Sequence, residues 1–324
     1  MLYPLKFKPV FKDKIWGGSK VKNRLGLDFS PLVNCGEVWA LSGVNECQTV
    51  VANGFLEGND LNEVLEIYMD ELVGEKVFER HPAEFPILVK FIDAREWLSI
   101  QVHPDDELAA KRDLPGGKTE MWYVLDADPG ARLIAGFNRP MDGSSYLKYS
   151  REHRLKEIMQ YEPVASGDTF FIPGGTVHAL GPGILLAEIQ QTSDTTYRIY
   201  DWDRVDDQGR SRELHSDLAL EAIDFDPAVS PRVHARSRPG EAVNLVDCPL
   251  FATNILEVTR TMTRDYSLRD SFAIYLAVEG TCRLTAGDHP VTLTAGEVVL
   301  VPAVLQEVTI TPDPAARLLE VYIP

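Results

Sequence analysis

The sequence predicts a mainly β protein built from two related β units, on three observations. Short runs rich in β-branched and aromatic residues recur between Gly, Pro, Asn and Asp turns. Helical periodicity is confined to a few segments. A glycine–acid–proline pattern also occurs twice. Gly167-Asp168 is followed by Pro173, and Gly296-Glu297 by Pro302, the second glycine standing 129 positions after the first (167 to 296). Each copy follows a stretch that reads as strand-turn-strand, 121–136 and 272–287. Between them, residues 224–240 are rich in Pro and charge and read as a connector. The expected division is therefore 1–240 and 241–324, with the boundary near Gly240.

Taken in order, residues 60–73 place Leu61, Val64, Leu65, Tyr68 and Leu72 near helical spacing, behind an aspartate suited to capping. Strands are expected at 87–92, 97–102 and 121–125. A second helix is expected over 144–161, then strands at 169–172, 184–190 and 195–202, and a short helix over 217–223. The 97–102 run alternates, with Leu98, Ile100 and Val102 on one face and Ser99, Gln101 and His103 on the other.

Composition narrows the function. With 44% apolar residues, 13 Phe, 11 Tyr and 5 Trp, the chain buries a sizeable core and does not stay disordered. Its 32 basic residues against 49 acidic ones give a net charge of −17. Such a surface repels nucleic acid and anionic membrane, so any phosphate it binds needs a local cationic pocket. No segment approaches the roughly 20 apolar residues of a membrane span, and Lys6, Lys8, Lys12 and Lys14 interrupt any signal-peptide core. Cys35, Cys47, Cys248 and Cys282 lie far apart without a CxxC pair, which fits free thiols in a reducing cytoplasm.

A lone Gln101-x-His103 is most simply the wet side of a half-exposed edge strand. Two later segments change that. Lys118-Thr119-Glu120 puts a carboxylate at the entrance of the 121–125 strand, and the Gly-rich bend after Pro173 leads to His178. His103, Glu120 and His178, with Gln101 as a neutral oxygen donor, make a mixed N/O set suited to zinc or another divalent ion. Three ligands and a weak fourth leave a position for a substrate oxygen. His81, His153, His215, His234 and His289 read as surface residues. Glu188 shares a strand face with Ile184 and Leu186, so it must meet a cation or accept hydrogen bonds. A structural ion pair with Arg198 would satisfy both residues.

Gly167 to His178 matches the second cupin motif, G-x5-P-x-G-x2-H, at every specified position. With Gln101-Val102-His103-Pro104-Asp105, Lys118-Thr119-Glu120 and Ser193-Asp194-Thr195-Thr196-Tyr197-Arg198, the chain resembles the type I mannose-6-phosphate isomerases in their short bacterial form. The resemblance runs from Phe7 to about Arg204, includes Trp16-Gly17-Gly18 and Gly36-Glu37-Val38-Trp39, and thins out in the carboxy-terminal third. Leu180 stands where eukaryotic relatives carry a tyrosine, so sugar contacts there do not transfer.

The resemblance implies a double cupin, two jelly-roll β-barrels with a few short helices. It implies one zinc ion per chain, held by Gln101, His103, Glu120 and His178. It makes Arg198 the catalytic arginine, with Lys118 and Glu188 nearby, and assigns Ser99 and Lys90 to the substrate phosphate. Lys90 reads equally as a solvated strand-edge lysine. The implied reaction is interconversion of mannose 6-phosphate and fructose 6-phosphate through an enediol. Glu188, Lys118 and a water on the metal are all candidate bases, since arginine is a poor one. The rival readings are an iron-dependent oxygenase on the same ligand set and a sugar-phosphate-binding regulator without turnover. Counting 129 positions on from His178 reaches Glu307, with no histidine near, so the carboxy-terminal unit is expected to be free of metal.

Overall fold

In the structure, a computed structural model, residues 1–205, 208–226 and 231–324 are described. The strand Ile87–Ala94 is buried on both faces and lies inside a seven-stranded antiparallel sheet. It pairs with Ile184–Gln191 on one side and Glu37–Leu41 on the other. Beyond Ile184–Gln191 come Glu120–Ala127, Thr169–Ile172 and Arg232–Val233. A five-stranded sheet faces it, in the order Tyr197–Tyr200, Ile100–Val102, His178–Ala179, Arg132–Phe137 and Met159–Pro163. Trp122, Phe170 and Leu186 from the first sheet meet Leu133, Ala135 and Leu180 from the second side in one apolar interior. This is the first barrel.

The second barrel is a nine-stranded sheet that encloses its own core of Tyr266, Tyr275, Leu284, Val299, Ile310 and Leu318. It takes two strands from the beginning of the chain. Leu5–Lys8 pairs with Val298–Val301, and Val50–Val51 pairs with Leu5–Lys8. A larger apolar layer joins the barrels, with Phe91, Tyr123 and Ile189 of one against Phe251, Ile274 and Leu319 of the other. The helix Leu61–Val73 adds Val64, Leu65 and Leu72 to that layer and opens with a capping box between Asp60 and Glu63.

The glycine–acid–proline pattern is one turn made twice. Gly167 and Gly296 both have φ 89. Asp168 accepts the Ala165 N–H at 2.9 Å, and Glu297 accepts the Thr294 N–H at 2.8 Å. Strand register extends the correspondence into the interiors. Glu188 stands opposite Lys90 and Trp122, and Glu320 stands opposite Asn254 and Tyr275. The position of Glu120, opposite Ile172, is taken in the second barrel by Ala273, opposite Val301. Glu320 is fully buried and receives Arg264 in a fork, at 2.8 and 2.9 Å. The Asn254 amide donates to it at 2.7 Å, as do the hydroxyls of Tyr266 and Tyr275.

Three expectations are corrected. The helix expected over 144–161 is Gly143–Arg151, capped by Asp142. The chain then turns at His153 (φ 56), so that Leu155, Ile158 and Met159 enter the core under the five-stranded sheet. Residues 159–163 are strand. The 272–287 stretch is not strand-turn-strand but one strand, Ala273–Ala286, irregular at Gly280. There φ is 73, and a Cβ would meet the Ala315 carbonyl at 2.1 Å. Within 97–102 only Ile100–Val102 forms a ladder. Of the expected connector 224–240, residues 227–230 lie outside the described residues, and Arg232–Val233 edges the seven-stranded sheet.

Glu320→Ala should strand Arg264, Asn254 and two tyrosine hydroxyls in the second barrel, at a cost of about 3–5 kcal/mol. A clear fall in thermal midpoint with metal content and kcat unchanged is expected. An unaltered midpoint would show that the buried pair contributes nothing.

Candidate active site

The site is assembled where the two sheets of the first barrel come together. His178 stands directly opposite Gln101, and Arg198 stands opposite Gln101 from the other neighbouring strand. Glu120 opens its strand opposite Ile172 and Gln190. The result is a cluster of His103, Glu120 and His178 whose ligand atoms lie within 4.8 Å of one another. All three side chains are about 1% exposed or less. Among the described residues this is the one group of three such side chains that could hold a metal ion.

Each imidazole is oriented by a backbone carbonyl. His103 Nδ1 meets the Thr195 carbonyl at 2.9 Å, and His178 Nδ1 meets that of Thr176 at 2.8 Å. With the proton on Nδ1, each Nε2 offers its lone pair toward Glu120, at 3.5 and 3.4 Å. Burial, with the charge of Lys118, holds His103 well below its ordinary pKa and His178 at about 4, so both stay neutral. Neither Glu120 oxygen has a hydrogen-bond partner, although the Lys118 ammonium lies 3.1 Å away. Two neutral imidazole nitrogens and a carboxylate converging out of water form the mixed N/O donor set of a divalent metal, so the residues present fit one. The Gln101 amide reaches the same point, its Nε2 3.2 Å from His178 Nε2, and half a turn presents its oxygen there.

The cluster borders a cavity of about 310 Å³, lined by Gln101, His178, Glu188, Lys118, Arg198, Ser99 and Lys90. The sequence-predicted residues are thus brought together, with two corrections. Lys90 is not a solvated edge lysine. It is 4% exposed in the middle of the sheet, 3.3 Å from Glu188 and 2.8 Å from Gln190 Oε1. Burial opposes its charge, but Glu188 and Glu37 outweigh burial and raise its pKa. Nor is there a Glu188–Arg198 ion pair. The two residues stand on different sheets. Glu188 is met by Lys90 and by the Trp122 N–H at 2.9 Å, while Arg198 donates to the Glu213 carbonyl at 2.8 Å. Burial and the charge of Glu120 push the Glu188 carboxyl up, against Lys90 and Lys118.

Several residues escaped the sequence reading. His215, expected at the surface, is half-buried and accepts the Arg198 backbone N–H at 3.0 Å. Lys14, Glu37, Asp194 and Arg212 also line the cavity. Burial would raise the Glu37 carboxyl, but Lys90, Lys14 and the Trp39 N–H hold it at about 2. Glu37 and Trp39 lie in the Gly36-Glu37-Val38-Trp39 motif, so a signal was present; Arg212 lies outside every such motif and had none.

Comparison with known proteins identifies the family of the chain. Residues 4–130 match the family model described as phosphomannose isomerase type I, catalytic domain. The chain is 35% identical over 306 residues to a mannose-6-phosphate isomerase of Streptococcus mutans, covering 93% of each. It is 35% identical over 311 residues to the mannose-6-phosphate isomerase ManA of Bacillus subtilis, covering 94% of each. Its fold superposes on a crystal structure of the mannose 6-phosphate isomerase from Bacillus subtilis with a TM-score of 0.88, at 30% identity over 99% of both chains. A phosphomannose isomerase variant from Salmonella typhimurium, 16% identical, shares the fold at a TM-score of 0.81. The chain belongs to the type I phosphomannose isomerase family.

Proposed function

We infer that the protein interconverts mannose 6-phosphate and fructose 6-phosphate, with one zinc ion per chain held by Gln101, His103, Glu120 and His178. The observation that carries this reading is the buried His103–Glu120–His178 cluster beside a cavity that also holds Glu188 and Arg198. A divalent ion there supplies Lewis-acid polarisation of the sugar oxygens at C1 and C2. Catalysis is assigned to residues 1–240. Residues 241–324 are read as a metal-free barrel, since Ala273 replaces the ligand carboxylate there. Four unpaired cysteines support a cytoplasmic setting.

The reaction moves one proton between C1 and C2. Glu188 is the base we favour, because its carboxylate lies in the cavity wall with its two oxygens held by Lys90 and Trp122. Lys118, 3.0 Å from His103 Nε2, is the alternative proton carrier. Arg198 supplies fixed positive charge for the enediolate oxygen; its Nε is buried without a partner. Ser99 and Lys90 line the same wall, Ser99 donating to Gln101 at 3.3 Å and Lys90 fixing Glu188. An oxygenase or a non-catalytic regulator finds no observation in its favour over this one.

Three outcomes are expected. His178→Ala should lose bound metal and turnover together while staying folded; wild-type activity in a verified metal-free sample would end the metal reading. Arg198→Lys keeps a cation but loses the planar fork, so kcat should fall roughly a hundredfold to a thousandfold with KM changed little. A near-normal kcat would remove Arg198 from the chemistry. The third concerns acid. His178 titrates near 4 in the folded chain against 6.5 unfolded. Below 6.5 the unfolded chain therefore binds the proton first, and stability falls with pH down to about 4, by up to roughly 1.4 kcal/mol per pH unit. Thermal melts of chelated protein across that range should show the slope, and His178→Asn should reduce it.

A further inference from the structure

The cavity's cations are not equally available to a ligand. Lys118 faces Glu120 at 3.1 Å, Lys90 faces Glu188 and Gln190, and Lys14 faces Glu37 at 3.1 Å. Arg212 is paired as well, with Asp201, but differs from them in position. It lines both this cavity and the adjoining surface groove formed with Ile15, Asp201 and Arg204, so it stands at the mouth between the two. Asp201, 6% exposed, takes its Nε at 2.7 Å and its Nη2 at 2.5 Å, which presets the guanidinium and leaves the Nη1 edge for another acceptor. The same carboxylate also accepts from Arg204. Arg198 lies close enough that the charge of Arg212, after burial, lowers its pKa, with Asp201 and Glu213 acting the other way. Guanidinium groups crowded in this way around a shared carboxylate favour an incoming anion. On a chain with a net charge of −17, this is the local cationic pocket that a phosphate ester requires.

We propose that Arg212, braced by Asp201, is the residue that receives the phosphoryl group of the substrate at the cavity mouth. A phosphate monoester is close to a dianion at neutral pH, and a preset planar fork is the side chain that matches its oxygens. Arg212 is thereby a specificity residue, selecting phosphorylated over free sugars while the inner residues act on C1 and C2. This inference rests on the sugar-phosphate reading above.

The test is Arg212→Met in the metal-loaded enzyme, with Arg212→Lys beside it. Arg212→Met should raise KM for mannose 6-phosphate about 10- to 150-fold with kcat within a few-fold of wild type. Competitive inhibition by inorganic phosphate should weaken by a similar factor. Arg212→Lys should recover part of both, and it carries the test if Arg212→Met does not fold. Unchanged KM and unchanged phosphate inhibition in a folded variant would overturn the proposal, as would a loss confined to kcat. Failure of the underlying reading looks different: wild-type protein would then turn over no mannose 6-phosphate, whatever happens at Arg212.

Discussion

Glu120 sets the terms for the first barrel. Its carboxylate is wholly out of water and has neither oxygen hydrogen-bonded, an arrangement that costs several kcal/mol unless positive charge meets it. The surrounding geometry follows from that need. Two imidazoles, each tied by Nδ1 to a backbone carbonyl, present unprotonated nitrogens to the same point, and Lys118 brings an ammonium beside it. The Gly-rich bend between Pro173 and His178 gives the tight path that returns His178 opposite Gln101.

Around this centre, the row Trp39, Lys90, Glu188 and Trp122 crosses four adjacent strands of one sheet. Each charge in the row is answered by a neighbour on the next strand, so its members fix one another's positions rather than relying on solvent. That is how a lysine and a glutamate coexist inside an apolar barrel. It also separates Glu188 from Arg198: the base candidate belongs to the rigid sheet, while the arginine comes from the opposite wall, backed by His215 and the Glu213 carbonyl.

The sequence disclosed what depends on local pattern. Helix 61–73 was legible because Asp60 and five apolar positions agree, and the strands expected at 169–172 and 184–190 because turns bound them. The metal cluster was legible because its motifs are spaced in a recognisable order. The three six-residue helices, Lys20–Leu25, Glu75–Arg80 and Asp106–Lys111, are too short to display a period. The partner of Glu188 was misassigned to Arg198 because strand faces alone do not say which strand lies alongside, and only sheet order puts Lys90 there. Arg212 was invisible for the same reason: its role depends on Asp201 and on where two grooves meet, neither of which is written in adjacent residues.

The pairing of Leu5–Lys8 with Val298–Val301, reinforced by Lys6 and Glu297 at 2.6 Å, has a consequence for biosynthesis. Leu5–Lys8 is synthesised well before 298–301, so it waits through the translation of everything between them before it finds its partner. Meanwhile the Leu5–Lys8 edge lacks that neighbour and offers open N–H and C=O groups to any passing strand. Deleting Leu5–Lys8 therefore acts at a distance, on the closure of the second barrel and on how readily nascent chains adhere to one another.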